Sequence, residues 1–229
     1  MVPPLKVISS MATRALLAEL AAMWRARSSL ELAIESVGGV DAARRVQGGE
    51  AVDLVVLASN AIDALIDGGH AVRGSRSDLV RSGVSVAVRA GAARPDIGSE
   101  DAVREAVLRA RTLGYSTGPS GVQLAKLFER WGIDAQVRDR LVQAPPGVPV
   151  GELVARGEVE LGFQQTSELL HVDGITVLGP LPPAIQIVTV FSAARATAST
   201  RADEVRELLA FWTSPATAEA KRRQGMDPA

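Results

Sequence analysis

The sequence contains no cysteine and only two histidines. The absence of cysteine excludes disulfide bonds, thiolate catalysis and cysteine-ligated metals, although it does not fix the compartment. His70 and His171 lie far apart in the chain, so neither has a second histidine nearby to complete a metal site. The sequence therefore predicts no metal site and no cofactor.

The chain also lacks an excess of charge of either sign. Its formal net charge is −1, with 25 Lys and Arg against 26 Asp and Glu. This balance favours neither nucleic acid nor an anionic membrane surface as a partner. The patterns G-x-x-x-x-G-K-[ST] and G-x-G-x-x-G are absent as well, so nucleotide binding has no support.

Long hydrophobic runs are missing. None reaches the roughly 20 residues that a membrane-spanning helix requires, so no membrane insertion is expected. Met1–Pro4 leads directly into the apolar stretch Leu5–Ile8, without the basic and long apolar regions of a signal peptide. We expect the chain as written to be cytoplasmic, or periplasmic if it is the trimmed mature form of an exported protein.

What the first third of the chain does contain is alternating strands and helices. Strands are predicted over Leu5–Ser9, Leu30–Ser36 and Asp53–Ala58, and a helix over Thr13–Ala26. The continuous apolar run of the third strand is typical of a parallel strand buried on both faces. This alternation predicts a parallel sheet with helices on both sides.

The remainder of the chain repeats the α/β pattern. Strands are predicted at Val84–Arg89, Leu161–Gln164 and Ile185–Phe191, and only helices are expected after the last of these. We predict an α/β protein of two Rossmann-like lobes with a hinge. The first lobe comprises residues 1–82 and 188–229, the second residues 83–187. In such sheets ligands bind at the carboxyl ends of the strands.

One stretch carries two overlapping patterns. GYSTG (Gly114–Gly118) fits the G-x-S-x-G elbow of a hydrolase whose nucleophile would be Ser116. TGPSG (Thr117–Gly121) fits a small-residue loop that opens a helix and holds an anion on backbone N–H groups. Because the predicted strand includes Ser116 and Pro119 follows, the anion-holding loop is favoured and the hydrolase remains the weaker alternative.

Five stretches resemble, in order and spacing, segments of molybdate-type periplasmic substrate-binding proteins. They are ISSMATRALLAELAAMW, VGGVDAARRVQGGEAVDLVVLAS, TGPSGVQLAKLFERWGI, GELVARGEVELGFQQTSEL and RELLAFWTSPATAEAKRRQGMDP. The resemblance covers nearly the whole chain, although no single motif is specific. It implies a divergent member with the type II periplasmic-binding-protein (Venus flytrap) fold, closing two lobes over an oxyanion or small organic anion.

The resemblance also implies which residues contact the ligand. Hydroxyl and N–H groups at helix N-termini can bind an anion without a counter-charge. The implied contacts are Ser9 or Ser10, the turn Gly38-Gly39-Val40, Ser120 with Gly121, Val148 and Gln165. An N-cap role for Ser9 and Ser10 and a plain turn at Gly38-Gly39 remain open. Since Gln164 and Gln165 point to opposite faces of a strand, only Gln165 is expected to face the ligand.

Two departures from the family pattern bear on the ligand. Glycines stand where molybdate binders usually have serine, and Phe163-Gln164-Gln165-Thr166 stands where they usually have tyrosine. These changes remove donors that a desolvated oxyanion needs, while glutamine offers both a donor and an acceptor. They favour a larger organic carboxylate over a molybdate or tungstate oxyanion.

The sequence thus predicts a substrate-binding protein for a small anion, related to ABC transport and delivering to an ABC permease if the chain is exported. A sensor or carrier is the corresponding expectation for a cytoplasmic protein. The alternative is an enzyme on the same fold, an isomerase of a small carboxylate with Glu168 as base. Glu168 is equally compatible with a carboxylate that stabilises a helix N-terminus after Thr166.

Overall fold

The computed structural model describes residues 3–145 and 147–229. It divides into two compact units, one formed by Met1–Arg81 with Val190–Ala229 and the other by Ser82–Thr189. The chain passes from one unit to the other in two strands, numbered in chain order as β4 (Ser77–Arg89) and β9 (Val188–Arg195). Each unit has its own sheet strands and its own hydrophobic cores.

The first unit begins with three parallel strands. β1 pairs in parallel with β2 on one side and β3 on the other, and β3 pairs antiparallel with β9. Its elements are β1 (Leu5–Ser10), α1 (Arg14–Arg25), β2 (Leu32–Val37), α2 (Gly39–Gln47), β3 (Leu54–Ala58), α3 (Ser59–Asp67), α9 (Ala202–Trp212), α10 (Ala218–Arg223) and β10 (Met226–Pro228). Trp24 and Trp212 are fully buried in the larger of its two cores.

The second unit combines parallel and antiparallel pairing. β5 pairs in parallel with β6 and β7, while β4 pairs antiparallel with β7 and β8. Its further elements are α4 (Glu100–Arg109), β5 (Leu113–Tyr115), α5 (Pro119–Arg130), α6 (Asp134–Val137), β6 (Leu141–Gln143), α7 (Val150–Ala155), β7 (Leu161–Gln165), α8 (Thr166–Leu169) and β8 (Ile175–Pro180). Within the described ranges, no helix is long and apolar enough to cross a membrane.

The predicted class, an α/β protein of the two-lobed binding-protein type, is confirmed, but several element bounds were wrong. The strand predicted over Ile185–Phe191 runs instead from Val188 to Arg195. Pro182 and Pro183 start a 3₁₀ turn that takes up Ile185, because proline favours a turn and cannot donate to a strand ladder. The strand predicted from Val84 begins at Ser77. The short strand β10 follows the last helix, so the expectation of helices only was also wrong.

Candidate functional site

In the first unit, the two serines that end β1 differ in their partners. The Ser9 hydroxyl lies 2.8 Å from the Ser36 hydroxyl on β2. Ser10 is buried and its Oγ has no hydrogen-bond partner among the described residues. Ser10 precedes a 3₁₀ turn (Met11–Thr13), yet its side chain makes no capping bond. The N-cap role of Ser10 is therefore not realised, and its hydroxyl retains the capacity for a hydrogen bond.

The glycine pair beside Ser10 leaves space rather than forming a strained turn. α2 begins at Gly39, and Gly38 precedes it with φ −56°, so neither position requires glycine for its backbone. A Cβ on Gly38 would meet no atom within 4 Å, and one on Gly39 would lie 3.6 Å from the Ser10 Cβ. Val40 is exposed. The start of α2 and the unpaired Ser10 hydroxyl thus adjoin one another.

In the second unit, Ser116 and Ser120 lie together at the start of α5. Their hydroxyls are 3.3 Å apart. A Cβ on Gly121 would lie 1.9 Å from the Ser116 carbonyl oxygen, so glycine is required for the loop to pack against the helix. Pro119 occupies the first turn of α5, where its missing N–H costs nothing.

This geometry corrects one expectation about the loop and weakens the hydrolase alternative. Ser116 follows β5 directly and is not part of the strand. The helix begins only at Pro119, whereas a nucleophile elbow passes from strand to helix at the serine itself. The Ser116 hydroxyl is hydrogen-bonded to Ser120. The loop thus has the form of a polar helix start.

Val148 lies in the loop before α7 and is hydrogen-bonded within the second unit. Its own N–H donates to the Pro145 carbonyl at 3.0 Å. At the start of α7, the N–H groups of Val150 and Gly151 donate to Gln164 Oε1 at 2.7 and 3.4 Å. Gln164 is therefore a structural residue that caps α7 across the fold.

Gln165 lies on the opposite face of β7 and has a different environment. It is buried, and its Nε2 donates to the Thr189 hydroxyl at 2.8 Å. Its Oε1 is buried without a hydrogen-bond partner among the described residues. Buried polar atoms are nearly always paired in folded proteins, so this amide retains the capacity for one further hydrogen bond.

Glu168, the carboxylate considered as a base, lies on α8 directly after β7. Burial raises its pKa to about 7, and a hydrogen bond from the Gln164 side chain opposes that shift in pKa. The carboxyl group is thus hydrogen-bonded to Gln164, on the face of β7 opposite Gln165. A pKa near neutrality suits a general acid or base.

The described residues contain no group of three or more His, Asp or Glu side chains placed to hold a metal ion. His70 follows α3 in the first unit, and His171 follows α8 in the second. The two histidines therefore belong to different units.

Two buried polar side chains of the second unit were not singled out from the sequence. The Thr189 hydroxyl is hydrogen-bonded to the amide of Gln165, and Ser82 is a fully buried serine whose Oγ has no partner among the described residues. Ser82 lies within β4, in the part of that strand that the apolar pattern did not predict. Thr189 lies within the apolar run Ile185–Phe191, where a lone hydroxyl was the one available signal.

The chain belongs to a family of bacterial extracellular solute-binding proteins, whose model matches residues 5–227. This confirms the resemblance to type II substrate-binding proteins. Among curated proteins, the chain is similar to an aconitate isomerase of Pseudomonas sp., with 35% identity over 99% of this chain and 88% of the relative.

Solved structures of low sequence identity share the fold. The periplasmic molybdate-binding protein of Azotobacter vinelandii matches with a TM-score of 0.81 and 17% identity, over 98% of this chain and 99% of that one. The sulfate-binding protein SubI of Mycobacterium tuberculosis H37Rv matches with a TM-score of 0.80 and 14% identity, over 100% and 88% of the two chains.

Proposed function

We propose that this protein binds a small organic polycarboxylate of the aconitate class. The observation that carries the proposal is the 35% identity, over 99% of the chain, to an aconitate isomerase. The proteins of shared fold that bind molybdate or sulfate are only 14–17% identical, so their ligands carry less weight.

The available polar atoms support an organic anion. The first unit offers the Ser10 hydroxyl beside the open space at Gly39, and the second offers Ser120 at the start of α5 and the amide of Gln165. Hydroxyl and backbone N–H groups of this kind bind carboxylates by hydrogen bonds and helix-dipole potential. In place of a tight shell of donors, Gly38 and Gly39 leave room for a larger ligand.

A thermal-shift series tests this assignment. The purified chain is heated with trans-aconitate, cis-aconitate, citrate, molybdate, tungstate, sulfate or phosphate. A ligand that binds only the folded state stabilises it, by about 2.7 kcal/mol at a hundred times Kd. We expect the tricarboxylates to raise Tm and the inorganic oxyanions to leave it unchanged. A shift with molybdate and tungstate alone would refute the proposal.

The proposal includes a role in transport. If the chain is exported, its partner is an ABC permease that receives the ligand from the closed protein. The family description, bacterial extracellular solute-binding protein, supports this placement. A pull-down of a candidate ABC permease with this protein, with and without the tricarboxylate, tests the partnership.

A second candidate function is isomerisation of the bound acid, which the similarity to an aconitate isomerase favours. A base would take a proton from a carbon next to a carboxyl group and return it to the other end of the allylic system as the double bond shifts. Glu168, with its pKa raised to about 7, is the candidate for that base, although its carboxyl group accepts a hydrogen bond from Gln164, which lies on the face of β7 opposite Gln165.

Proton NMR in deuterated water distinguishes a carrier from an enzyme. The wild-type chain and Glu168→Gln are each incubated with trans-aconitate, and cis-aconitate and deuterium at carbon are followed over hours. Product with the wild type and none with the variant would assign the base to Glu168. Equal product with both would remove Glu168 from that role. Binding without any product from the wild type would leave a carrier.

A further inference from the structure

The side-chain amide of Gln164 is held in one orientation by partners that can only donate. Its Oε1 accepts from the backbone N–H groups of Val150 and Gly151, at 2.7 and 3.4 Å. Because a backbone N–H cannot accept a hydrogen bond, the amide oxygen must face α7. The amide nitrogen is therefore the group that donates to the carboxyl group of Glu168.

These bonds form one chain from α8 to the start of α7. Gln164 is 2% exposed and the first two residues of α7 are buried, so the chain runs through the interior of the second unit. Pro149, which precedes α7, gives it no side-chain cap. The first N–H groups of the helix thus rely on Gln164 for an acceptor, and Glu168 holds the other end of that amide.

The start of α7 bears on ligand binding because of the residues just before it. Val148 is one of the ligand contacts predicted from the sequence, and α7 begins two residues later, at Val150. A shift of the first turn of α7 must therefore move Val148 as well. The hydrogen bonds that fix α7 also fix the position of this predicted contact.

We propose that Glu168 is a positioning residue, which holds the start of α7 and the adjacent Val148 in place through Gln164. The inference rests on the proposed function, because it gives Glu168 a role in binding a polycarboxylate. It differs from the role of a base, since it requires no contact between Glu168 and the ligand.

The carboxyl group can change the strength of this chain near neutral pH. Burial raises the pKa of Glu168 to about 7. A hydrogen bond to an ionised carboxylate is roughly twice as strong as one between neutral groups. The start of α7 should therefore be held more firmly as pH rises through about 7, and the ligand should bind more tightly. A negative charge that faced an anionic ligand would have the opposite effect.

The titratable groups around Glu168 define the control variants. β7 carries no titratable side chain, and Glu152 on α7 forms an ion pair with Arg156 at 3.5 Å. His171 and Asp173 follow α8 in the chain. Of these groups, histidine is the one that ordinarily titrates near neutral pH, so His171→Gln separates its contribution from that of Glu168.

Amide NMR of the chain without ligand tests the hydrogen-bonded chain by itself. We expect the amide resonances of Val150 and Gly151 to titrate with an apparent pKa of about 7 in the wild type and in His171→Gln. They should not titrate in Glu168→Gln, whose side-chain oxygen still accepts from Gln164 but cannot ionise. Titration that persists in Glu168→Gln would overturn the inference.

Calorimetry with trans-aconitate, from about pH 6 to about pH 8, tests the consequence for binding. The affinity of each protein is divided by that of Glu168→Gln at the same pH, so that ionisation of the ligand cancels. This ratio should rise about threefold with pH for the wild type. Gln164→Leu should abolish the rise although Glu168 is intact. Glu168→Met, which lacks the acceptor, should show no rise either and serves if Gln164→Leu does not fold.

Glu152→Gln, an exposed carboxylate on α7, is the matched control and should behave as the wild type. A ratio that falls as pH rises would overturn the inference, because it would place the charge of Glu168 against the ligand. A rise that persists in Gln164→Leu would also overturn it. Failure of the wild type to bind any polycarboxylate, with the amide titration intact, would instead refute the proposed function and leave the coupling of Glu168 to α7 in place.

Discussion

The two units use glycine in opposite ways where their helices begin. At the start of α2, a Cβ on Gly39 would make only an ordinary contact, 3.6 Å from the Ser10 Cβ. Near the start of α5, a Cβ on Gly121 would lie 1.9 Å from the Ser116 carbonyl oxygen. The first glycine leaves space beside an unpaired hydroxyl, and the second allows the loop to pack directly on the helix. Similar small-residue loops therefore leave open space in one unit and pack tightly in the other.

The largest expected effect follows from the tightly packed glycine. Gly121→Ala should lower the free energy of unfolding by about 3 kcal/mol, because the added methyl group collides with backbone that must move. Urea unfolding measures the loss. Gly118→Ala is the control in the same loop, since its Cβ would lie 3.7 Å from Ser116 Oγ. Equal stability of the two variants would contradict the packing assigned to Gly121.

The next effect concerns the two adjacent glutamines. Gln164→Leu should lower the free energy of unfolding by about 2 kcal/mol, because the N–H groups of Val150 and Gly151 lose their acceptor. Gln165→Met should change it by less than about 1 kcal/mol, since only one side-chain bond is lost and an unpaired oxygen is removed. Chemical unfolding of both variants tests the difference. A larger loss in Gln165→Met would contradict the assignment of Gln164 to structure.

A smaller and pH-dependent effect is expected at Glu168. Its pKa is raised from 4.5 to about 7, so the folded state favours the neutral carboxyl group. The stability associated with that neutral group is fully present below the unfolded pKa of 4.5 and is lost as pH rises through about 7. Glu168→Gln should therefore be more stable than the wild type above that range, by about 1–2 kcal/mol after screening of a partly exposed group.

Thermal unfolding across the pH range checks the sign of this effect. The Tm of the wild type should fall more than that of Glu168→Gln between acid and mildly alkaline pH. Glu152→Gln, an exposed carboxylate on α7, should follow the wild type. Parallel curves for the wild type and Glu168→Gln would show that the carboxyl group titrates normally.

The smallest effect on stability is expected at the open glycine. Gly39→Ala should raise the free energy of unfolding by about 0.5 kcal/mol, because alanine restricts the unfolded chain and fits the helical backbone. The methyl group would nevertheless occupy space beside Ser10, so tricarboxylate affinity should fall. Thermal unfolding measures the gain in stability, and ligand titration measures the loss of tricarboxylate affinity. Unchanged affinity would remove the start of α2 from the site.

Local patterns predicted the fold, within limits set by long-range contacts. β3 was predictable because its apolar run is continuous and buried. The early part of β4 was not, since its polar residues are supported by partners distant in sequence, such as the Ser192 hydroxyl that donates to Asp78.

The glutamine pair shows the same limit within the candidate site. Alternation along a strand assigned Gln164 and Gln165 to opposite faces, but it could not reveal the bonds to α7 or to Thr189. Those bonds depend on residues 13 to 24 positions away. The unpaired state of Ser10 likewise required the packing around it.

Equilibrium dialysis of the wild-type chain with trans-aconitate, in the presence and absence of excess molybdate, tests the central claim most directly. We predict saturable binding of one trans-aconitate per chain that molybdate does not displace. Absence of trans-aconitate binding, or its displacement by the excess molybdate, would contradict the assignment of this protein to small organic polycarboxylates.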